Sequence, residues 1–228
     1  CSKIQSWCWF KRRCKLIFAF LKIIKTLFLR EFFCFIFFFI NLRMSDFKNL
    51  KGKLLIAEPS ILNDNSFNRS IILIAEHTEK NSVGFILNRP LAYLLGNLIP
   101  EISKDFTVYQ GGPVEQDNLY FIHKVGDLIP DSIEIGNGIF WGGNFESLKH
   151  SIENDLISNN DIRFFLGYSG WSKNQLNREI RSKSWFVSEN NHENILSINT
   201  ETIWREKLLQ KGGNYKLWAN APSDIQQN

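Results

Sequence analysis

Apolar residues along the chain fall into short runs separated by polar turns, a pattern typical of a protein with many short strands. The run Ser70–Glu76 is almost continuously apolar, which predicts a central strand buried on both faces. Asn81–Asn88 predicts a second strand, and the polar residues between the two runs predict a hairpin connection. Similar runs predict strands at 53–57, 107–110, 118–124, 132–135 and 195–198.

Helical spacing of apolar residues occurs in two longer segments. In Phe145–Leu156 the apolar residues recur at steps of three and four, and Asn144 stands where an N-cap is needed. Thr202–Gln210 predicts a second amphipathic helix, followed by a glycine pair. The apolar run Leu91–Ile99 predicts a short helix that ends before a proline, and the glycine-rich stretch Gly136–Gly143 predicts a loop.

The most motif-like passage is Phe164–Val187. Its β-forming start, its glycines at Gly167–Trp171 and its polar continuation predict a strand, a tight turn, a helix and a second strand. A strand-to-helix turn at Ser169 has the topology of a nucleophile elbow. That motif requires glycine where Trp171 stands, so a structural turn is the favoured interpretation over serine-hydrolase chemistry.

Cofactor motifs are not supported by the glycine spacings of the chain. Gly136 and Gly138 precede a predicted helix, but the third glycine of a dinucleotide fingerprint would fall on Trp141, which is too large for close approach of the pyrophosphate. The phosphate-binding P-loop pattern does not occur in the sequence. We therefore expect no cofactor.

Composition divides the chain into two parts. Residues 1–43 contain all four cysteines, ten of the twenty phenylalanines, nine basic residues and one acidic residue. Subtracting these from the 27 basic and 23 acidic residues of the whole chain leaves 18 and 22 in residues 44–228, a net charge of −4. The mildly acidic remainder argues against non-specific binding to nucleic acid or anionic membranes. Because it has no cysteine, it offers no disulfide, thiolate nucleophile or cysteine zinc site.

The only methionine, Met44, leads us to expect that translation starts there and that residues 1–43 are a non-native upstream translation outside the fold. The alternative is a membrane anchor or signal peptide. The apolar stretch Phe32–Leu42 would span only about 16 Å as a helix, against a bilayer core of roughly 30 Å. No small-residue cleavage site follows it. We expect a cytoplasmic protein, with no membrane contact if Met44 is the start.

Polar residues at the ends of predicted strands are the candidates for a site. His77 and His123 both end core strands, and with Glu76 and Asp64 they would form a metal site if they met in space. Histidines bonded singly to the backbone are the favoured interpretation, so no metal is expected. The candidate ligand- or partner-facing residues are Asp64, His77, Asn88, Arg89, His123, Arg178 and Arg181.

Basic residues cluster on the predicted helix of the motif-like passage. Arg178 and Arg181 share one helix face at a spacing of three, and Lys173 and Lys183 flank them. Four cations on an acidic protein are more typical of a solvated face than of a DNA-binding surface. Nucleic acid is therefore an alternative partner that the net charge does not support.

Taken together, residues 44–228 resemble the AlgH/YqgE family of small bacterial proteins, which has no established biochemical activity. The resemblance rests on motifs in the expected order: Gly52–Ala57 with Pro59; Asp64, Phe67, Arg69 and Ser70; Glu76 and His77; Gly84; Asn88, Arg89 and Pro90; Gly111–Val114; His123; Gly167–Trp171; Gln175, Leu176, Glu179, Ile180 and Trp185. The family tends to read G-P-G-Q-L-E where this chain has Ser172–Asn177. Because of that departure, the chain lacks the glycine turn before the helix and has Asn177 where the family pattern ends in an acid.

The resemblance implies a single α+β domain over residues 44–228, with a mixed, bifurcated β-sheet that forms a pseudo-barrel with flanking helices. Family members carry a transcriptional-regulator label, but no recognisable DNA-binding motif occurs in this chain. We expect a binding or regulatory module with an unidentified protein or small-molecule partner. The alternative is an enzyme or small-ligand binder that uses the polar strand ends. A concave pocket with convergent polar groups would favour a ligand site, and an exposed apolar patch would favour a protein partner.

Overall fold

The computed structural model describes residues 49–190 and 194–221. By its internal contacts the chain separates into two units, Cys1–Asn49 and Leu50–Asn228, and the account below concerns the second. The expectations for residues 1–43, including a translation start at Met44, lie outside the described residues. No helix within the described ranges is long and apolar enough to cross a membrane.

Ten strands and five short helices make up the described part of the chain. The strands are β1 (Leu54–Ala57), β2 (Ile71–His77), β3 (Asn81–Ile86), β4 (Pro90–Leu94), β5 (Thr107–Gln110), β6 (Val114–His123), β7 (Ile133–Gly136), β8 (Ile139–Trp141), β9 (Ile162–Ser172) and β10 (Trp185–Ser188). The helices are α1 (Leu95–Leu98), α2 (Phe145–Glu153), α3 (Gln175–Arg181), α4 (Ile203–Lys211) and α5 (Tyr215–Ala219). A 3₁₀ turn at Pro59–Ile61 follows β1.

All ten strands belong to one sheet, which divides at β9. The main order is β10-β1-β2-β3-β9-β6-β8-β7. The end of β9 pairs antiparallel with β3, whereas its beginning pairs in parallel with β5, which in turn pairs with β4. The mixed, bifurcated α+β fold implied by the resemblance is therefore confirmed. The sheet is not closed, because β10 and β7 stand at the two ends of the strand order over the described residues.

The predicted tight turn at Gly167–Trp171 is wrong, because β9 continues through all five residues. The glycines serve close packing instead of chain reversal. A Cβ atom on Gly111 would lie 2.1 Å from the carbonyl oxygen of Gly167, and Gly167 itself has a φ of 69°. Ser169 is fully buried within the strand and donates its hydroxyl to the carbonyl of Gly111 at 3.1 Å. The two glycine motifs of the family therefore form one close backbone contact.

Two further predictions from apolar and glycine-rich stretches need correction. Leu91–Ile99 is not one helix, because its first part belongs to β4 and only Leu95–Leu98 is helical. A short apolar run does not by itself distinguish a helix from a strand. Here the first part of the run pairs with β5 as an antiparallel strand. Gly136–Gly143 is not entirely loop, because β8 lies within it and pairs with both β6 and β7.

The predicted strand at Ile195–Ile198 is a turn in the structure. Ile195 and Leu196 are buried as the apolar pattern requires. The carbonyl of Leu196, however, accepts a hydrogen bond of 2.6 Å from Nη2 of Arg163 instead of pairing in the sheet. A buried side chain therefore satisfies a backbone group that the sequence pattern assigned to a strand.

The predicted helices at Phe145–Leu156 and Thr202–Gln210 are confirmed in position as α2 and α4. Asn144 caps α2 by accepting the amide of Ser147 at 2.8 Å, as its sequence position predicts. Leu148 and Ile152 of α2 enter the core with buried residues of β5, β6 and β9. The helices thus cover a sheet whose central strands are buried.

Candidate functional site

The loop between β1 and β2 is held in shape by two of the predicted site residues, Asp64 and Arg89. Asp64 accepts the backbone amides of Ser66 and Phe67 at 2.8 and 2.9 Å. Arg89 donates through Nη2 to the carbonyl of Asn68 at 2.9 Å. Burial lowers the pKa of Arg89, and the charge of Asp64 partly opposes that shift. Both side chains therefore stabilise the conformation of the β1–β2 loop.

Asn88, a third predicted site residue, fixes the end of the same loop. Its Nδ2 donates to the carbonyl of Arg69 at 3.0 Å, and its Oδ1 accepts the amide of Ile71 at 2.9 Å. Arg69 between them has a φ of 54°, in the left-handed region. That conformation costs a non-glycine residue roughly 1–2 kcal/mol. Asn88 therefore stabilises a strained backbone that sets the direction of the Arg69 side chain.

Arg69 and Asn88 form one side of a cavity of about 400 Å³, and α4 and α5 with their flanking residues form the other. The lining residues are Arg69, Asn88, Glu201, Trp204, Arg205, Ala219, Asn220 and Ala221. The guanidinium carbon of Arg69 lies 5.0 Å from the centre of the Trp204 ring, and its Nη2 donates to the carbonyl of Ala221 at 3.0 Å. The indole of Trp204 is itself fixed, because Nε1 donates to the carbonyl of Ala57 at 2.9 Å.

The charged groups of this cavity are two guanidinium groups and one carboxylate. Arg205 is exposed and donates through Nη2 to Oδ1 of Asn220 at 2.9 Å. Glu201 is also exposed. Burial lowers the pKa of Arg69. The cavity therefore has a net positive charge, with amide groups of two asparagines beside it.

A buried carboxylate attaches the helical side of the cavity to the sheet. Glu58, only 6% exposed, forms an ion pair with Lys211 at 3.0 Å and accepts the hydroxyl of Tyr215 at 3.1 Å. The ammonium of Lys211 also lies 3.6 Å from the ring centre of Phe186 on β10. These contacts join α4 and α5 to the end of β1 and to β10. They hold the helical wall of the cavity against the sheet.

The metal site considered from the sequence does not form, because His77 and His123 lie near opposite ends of β9. Nδ1 of His77 is 2.8 Å from the hydroxyl of Ser82, which is paired with Trp171, whereas His123 is paired with Ile162. Nine residues of extended strand separate these positions by up to about 30 Å. No group of three metal-ligating side chains occurs among the residues described.

His123 is instead a buried core residue. Its side chain is fully buried, stacks on Phe140 with ring centres 5.7 Å apart, and places Nε2 3.1 Å from the carbonyl of Gly142. Nδ1 has no hydrogen-bond partner within the described ranges. Burial lowers the pKa of His123, although the hydrogen bond to Gly142 opposes this effect. The neutral imidazole is therefore the form that the fold favours.

The remaining predicted site residues, Arg178 and Arg181, are exposed on α3 as expected. The α3 cationic surface, as we call it, consists of four exposed side chains: Lys173, Arg178, Arg181 and Lys183. The helix begins after Asn174, whose φ of 60° is left-handed. Asparagine tolerates this conformation better than most residues, so the turn forms here without glycine.

A partly buried polar cluster beneath α3 was not predicted from the sequence. Oε2 of Glu179 accepts the indole N–H groups of Trp171 and Trp185, both at 2.8 Å. Its Oε1 accepts Nε2 of Gln175 at 2.9 Å. Phe67 packs on both tryptophans, with ring centres 6.4 and 5.4 Å away. The tryptophans and Glu179 of the motif-like passage therefore hold α3 against β9 and β10.

Of the seven predicted site residues, the structure brings Asp64, Asn88 and Arg89 together at one loop and Arg178 and Arg181 together on α3. It leaves His77 and His123 apart. Only Asn88 lines the cavity. Four polar lining residues were not predicted as site residues from the sequence: Arg69, Glu201, Arg205 and Asn220. The relevant signal in the sequence was the amphipathic pattern of Thr202–Gln210, which includes Trp204 and Arg205, and nothing in that pattern connects the helix with Arg69.

The fold and these contacts define an α+β protein with a divided sheet, a polar cavity and no assembled catalytic or metal centre among the described residues. The chain belongs to the AlgH-like family, whose model, DUF179, matches residues 54–216. A UPF0301 protein of Parabacteroides distasonis is 40% identical over 183 residues, which cover 79% of this chain and 92% of that protein. A UPF0301 protein of Chlorobium limicola is 40% identical over 181 residues, covering 78% and 96%.

Two solved structures share the fold. Protein DIP2367 from Corynebacterium diphtheriae aligns with a TM-score of 0.63 and 24% identity over 76% of this chain and 93% of its own. The AlgH protein of Pseudomonas aeruginosa aligns with a TM-score of 0.60 and 22% identity over 76% and 94%. At these identities the structures establish the fold alone. The family expected from the sequence motifs is therefore confirmed, whereas the biochemical role is not supplied by any of these relatives.

Proposed function

We propose that the protein is a binding module for a small anionic molecule, held in the cavity between the β1–β2 loop and α4–α5. The proposal rests on the position of the Arg69 side chain. The strained backbone of this residue directs its guanidinium over Trp204 in the cavity wall. Strained residues that persist in a fold tend to serve a function. A volume of about 400 Å³ lies within the usual range for small-molecule sites.

The chemistry of the cavity favours binding of an anion. Two guanidinium groups attract carboxylate or phosphate oxygens, which they bind in planar, two-pronged geometry. Asn88 and Asn220 offer amide groups for the polar, uncharged parts of a ligand. A ligand-dependent module would also suit the regulatory role that the family label implies. The cytoplasmic location expected from the sequence is part of the same proposal.

Isothermal titration calorimetry against di- and tricarboxylates and phosphate monoesters tests the proposal. Since Arg205 and Glu201 are exposed, each charge should change affinity only about two- to fivefold. Arg205→Gln should weaken binding because it removes an attractive charge. Glu201→Gln should strengthen binding because it removes a repulsive one. Lys80→Gln, at the exposed tip of the β2–β3 hairpin, should leave the affinity unchanged.

A bound ligand should also raise the melting temperature, by an amount that increases with its concentration. The proposal is wrong if no member of the panel binds. It is also wrong if a member binds with the same affinity to the Arg205→Gln, Glu201→Gln and Lys80→Gln variants, because binding would then lie elsewhere on the molecule.

A further inference from the structure

The α3 cationic surface has no counter-charge of its own. Between residues 172 and 188 the sequence contains four basic residues and a single acidic one, Glu179. That carboxylate points inward, where both of its oxygens accept hydrogen bonds from Trp171, Trp185 and Gln175. The ion pairs found in the described part of the chain include none of the four cations. The surface therefore stands unneutralised on a domain whose net charge is negative.

One of the four cations occupies a position that favours glycine. At the end of α3 the amide of Ser184 donates to the carbonyl of Glu179 at 2.9 Å, and the amide of Lys183 donates to that of Ile180 at 3.1 Å. These two bonds define a Schellman motif, whose left-handed residue is usually glycine. Lys183 adopts this conformation with a φ of 60°. The chain thus keeps a charged side chain where glycine would be more stable.

The helix that carries the surface is also held in place, because the polar cluster beneath α3 fixes it to β9 and β10. Glu179 bonds to Trp171 of β9 and to Trp185 of β10, so the helix is attached at two strands. A preorganised arrangement of charges loses less entropy when it binds a partner. None of the four cations of this surface lines the cavity.

We propose that the α3 cationic surface docks a short acidic segment of a partner protein. The helix has seven residues and is about 10 Å long, which matches a few acidic side chains rather than a length of duplex. Both tryptophans of the passage are buried, 4% and 2% exposed, and offer no surface on which bases could stack. The acidic remainder of the domain would repel a long polyanion.

Fluorescence anisotropy with a labelled octaglutamate peptide at low ionic strength tests the docking surface. The peptide should bind, and its affinity should fall as salt is added. Arg178→Gln and Arg181→Gln should each weaken binding about twofold to fivefold, and the double variant more than either. Lys149→Gln, on α2 at the opposite end of β9, serves as the control for loss of a distant charge and should bind as the unmodified protein does.

The decisive variant is Lys183→Gly, which separates a binding role from a structural one. It should weaken peptide binding while raising the melting temperature, because glycine relieves the left-handed strain. Equal affinity of the Arg178→Gln, Arg181→Gln and Lys183→Gly variants with the unmodified protein would overturn the proposal. A labelled twelve-nucleotide DNA strand that binds more tightly than the peptide would overturn it as well, in favour of a nucleic-acid partner.

Discussion

Arg163 on β9 is a buried charge that joins separate parts of the domain. Its side chain is 5% exposed, and it donates through Nη1 to the carbonyl of Leu87 and through Nη2 to that of Leu196, both at 2.6 Å. The guanidinium carbon lies 4.3 Å from the ring centre of Tyr109. Burial lowers the pKa of Arg163, but an arginine stays charged at neutral pH.

Replacing Arg163 with methionine should destabilise the domain by about 3 kcal/mol. Two buried carbonyls would lose their donor, at about 1–3 kcal/mol each. The cation–π contact with Tyr109 contributes up to about 2 kcal/mol when it is desolvated. Against these losses, removing a buried charge recovers part of its desolvation penalty. For a domain of this size, about 3 kcal/mol corresponds to a fall in melting temperature of roughly 6–12 °C.

Urea unfolding followed by tryptophan fluorescence measures the change, with Arg178→Met as the control for loss of an exposed arginine. The control should alter the free energy of unfolding by less than about 0.5 kcal/mol. Hydrogen exchange should also speed up around Leu196, since Arg163 holds that carbonyl. A loss below about 1 kcal/mol in the Arg163→Met variant would refute the reasoning, because it would mean that the two carbonyls find other partners.

Three further predictions concern single positions. Because burial lowers the pKa of His123 below 6.5, stability should be complete above about pH 6.5 and should fall as the pH drops, with a slope approaching about 1.4 kcal/mol per pH unit. His123→Phe should reduce that slope in urea titrations between pH 7.5 and 5, and an unchanged slope would contradict the assignment. Gly111→Ala should lower the melting temperature by several degrees, because its Cβ would lie 2.1 Å from the carbonyl oxygen of Gly167; an unchanged melting temperature would mean that the strands separate freely. Glu179→Ala should destabilise the domain by about 2–4 kcal/mol in urea unfolding, since two buried indole N–H groups lose their acceptor, and a loss below about 1 kcal/mol would argue that water replaces the carboxylate.

The apolar runs of the sequence predicted the central strands well, because continuous burial leaves a pattern that is local in the chain. Ser70–Glu76 and Asn81–Asn88 correspond to β2 and β3 and pair as the expected hairpin. The glycine motif at Gly167–Trp171 was misread for a physical reason. Glycine is required both where a chain turns and where two backbones touch, and the sequence alone does not distinguish these cases.

The cavity could not be predicted in the same way, because its two sides are distant in the chain. Asn88 was identified among polar strand ends, but Trp204 and Arg205 lie on a helix whose local pattern indicates only an amphipathic element. The same helix is held to the end of β1 by the ion pair of Lys211 with Glu58, which lies 153 residues away in the chain. Long-range contacts of this kind leave no periodic signal in the sequence.

The β1–β2 loop contacts both surfaces to which we assign a role. Phe67 packs on the tryptophans beneath α3, and two residues later Arg69 lies over Trp204 in the cavity. Substitutions in this loop would therefore disturb both surfaces at once and could not tell the two proposals apart. Arg205 lines the cavity and Arg178 is exposed on α3 outside the cavity lining, so variants at these two arginines separate ligand binding from partner docking. Failure of one proposal would leave the other standing.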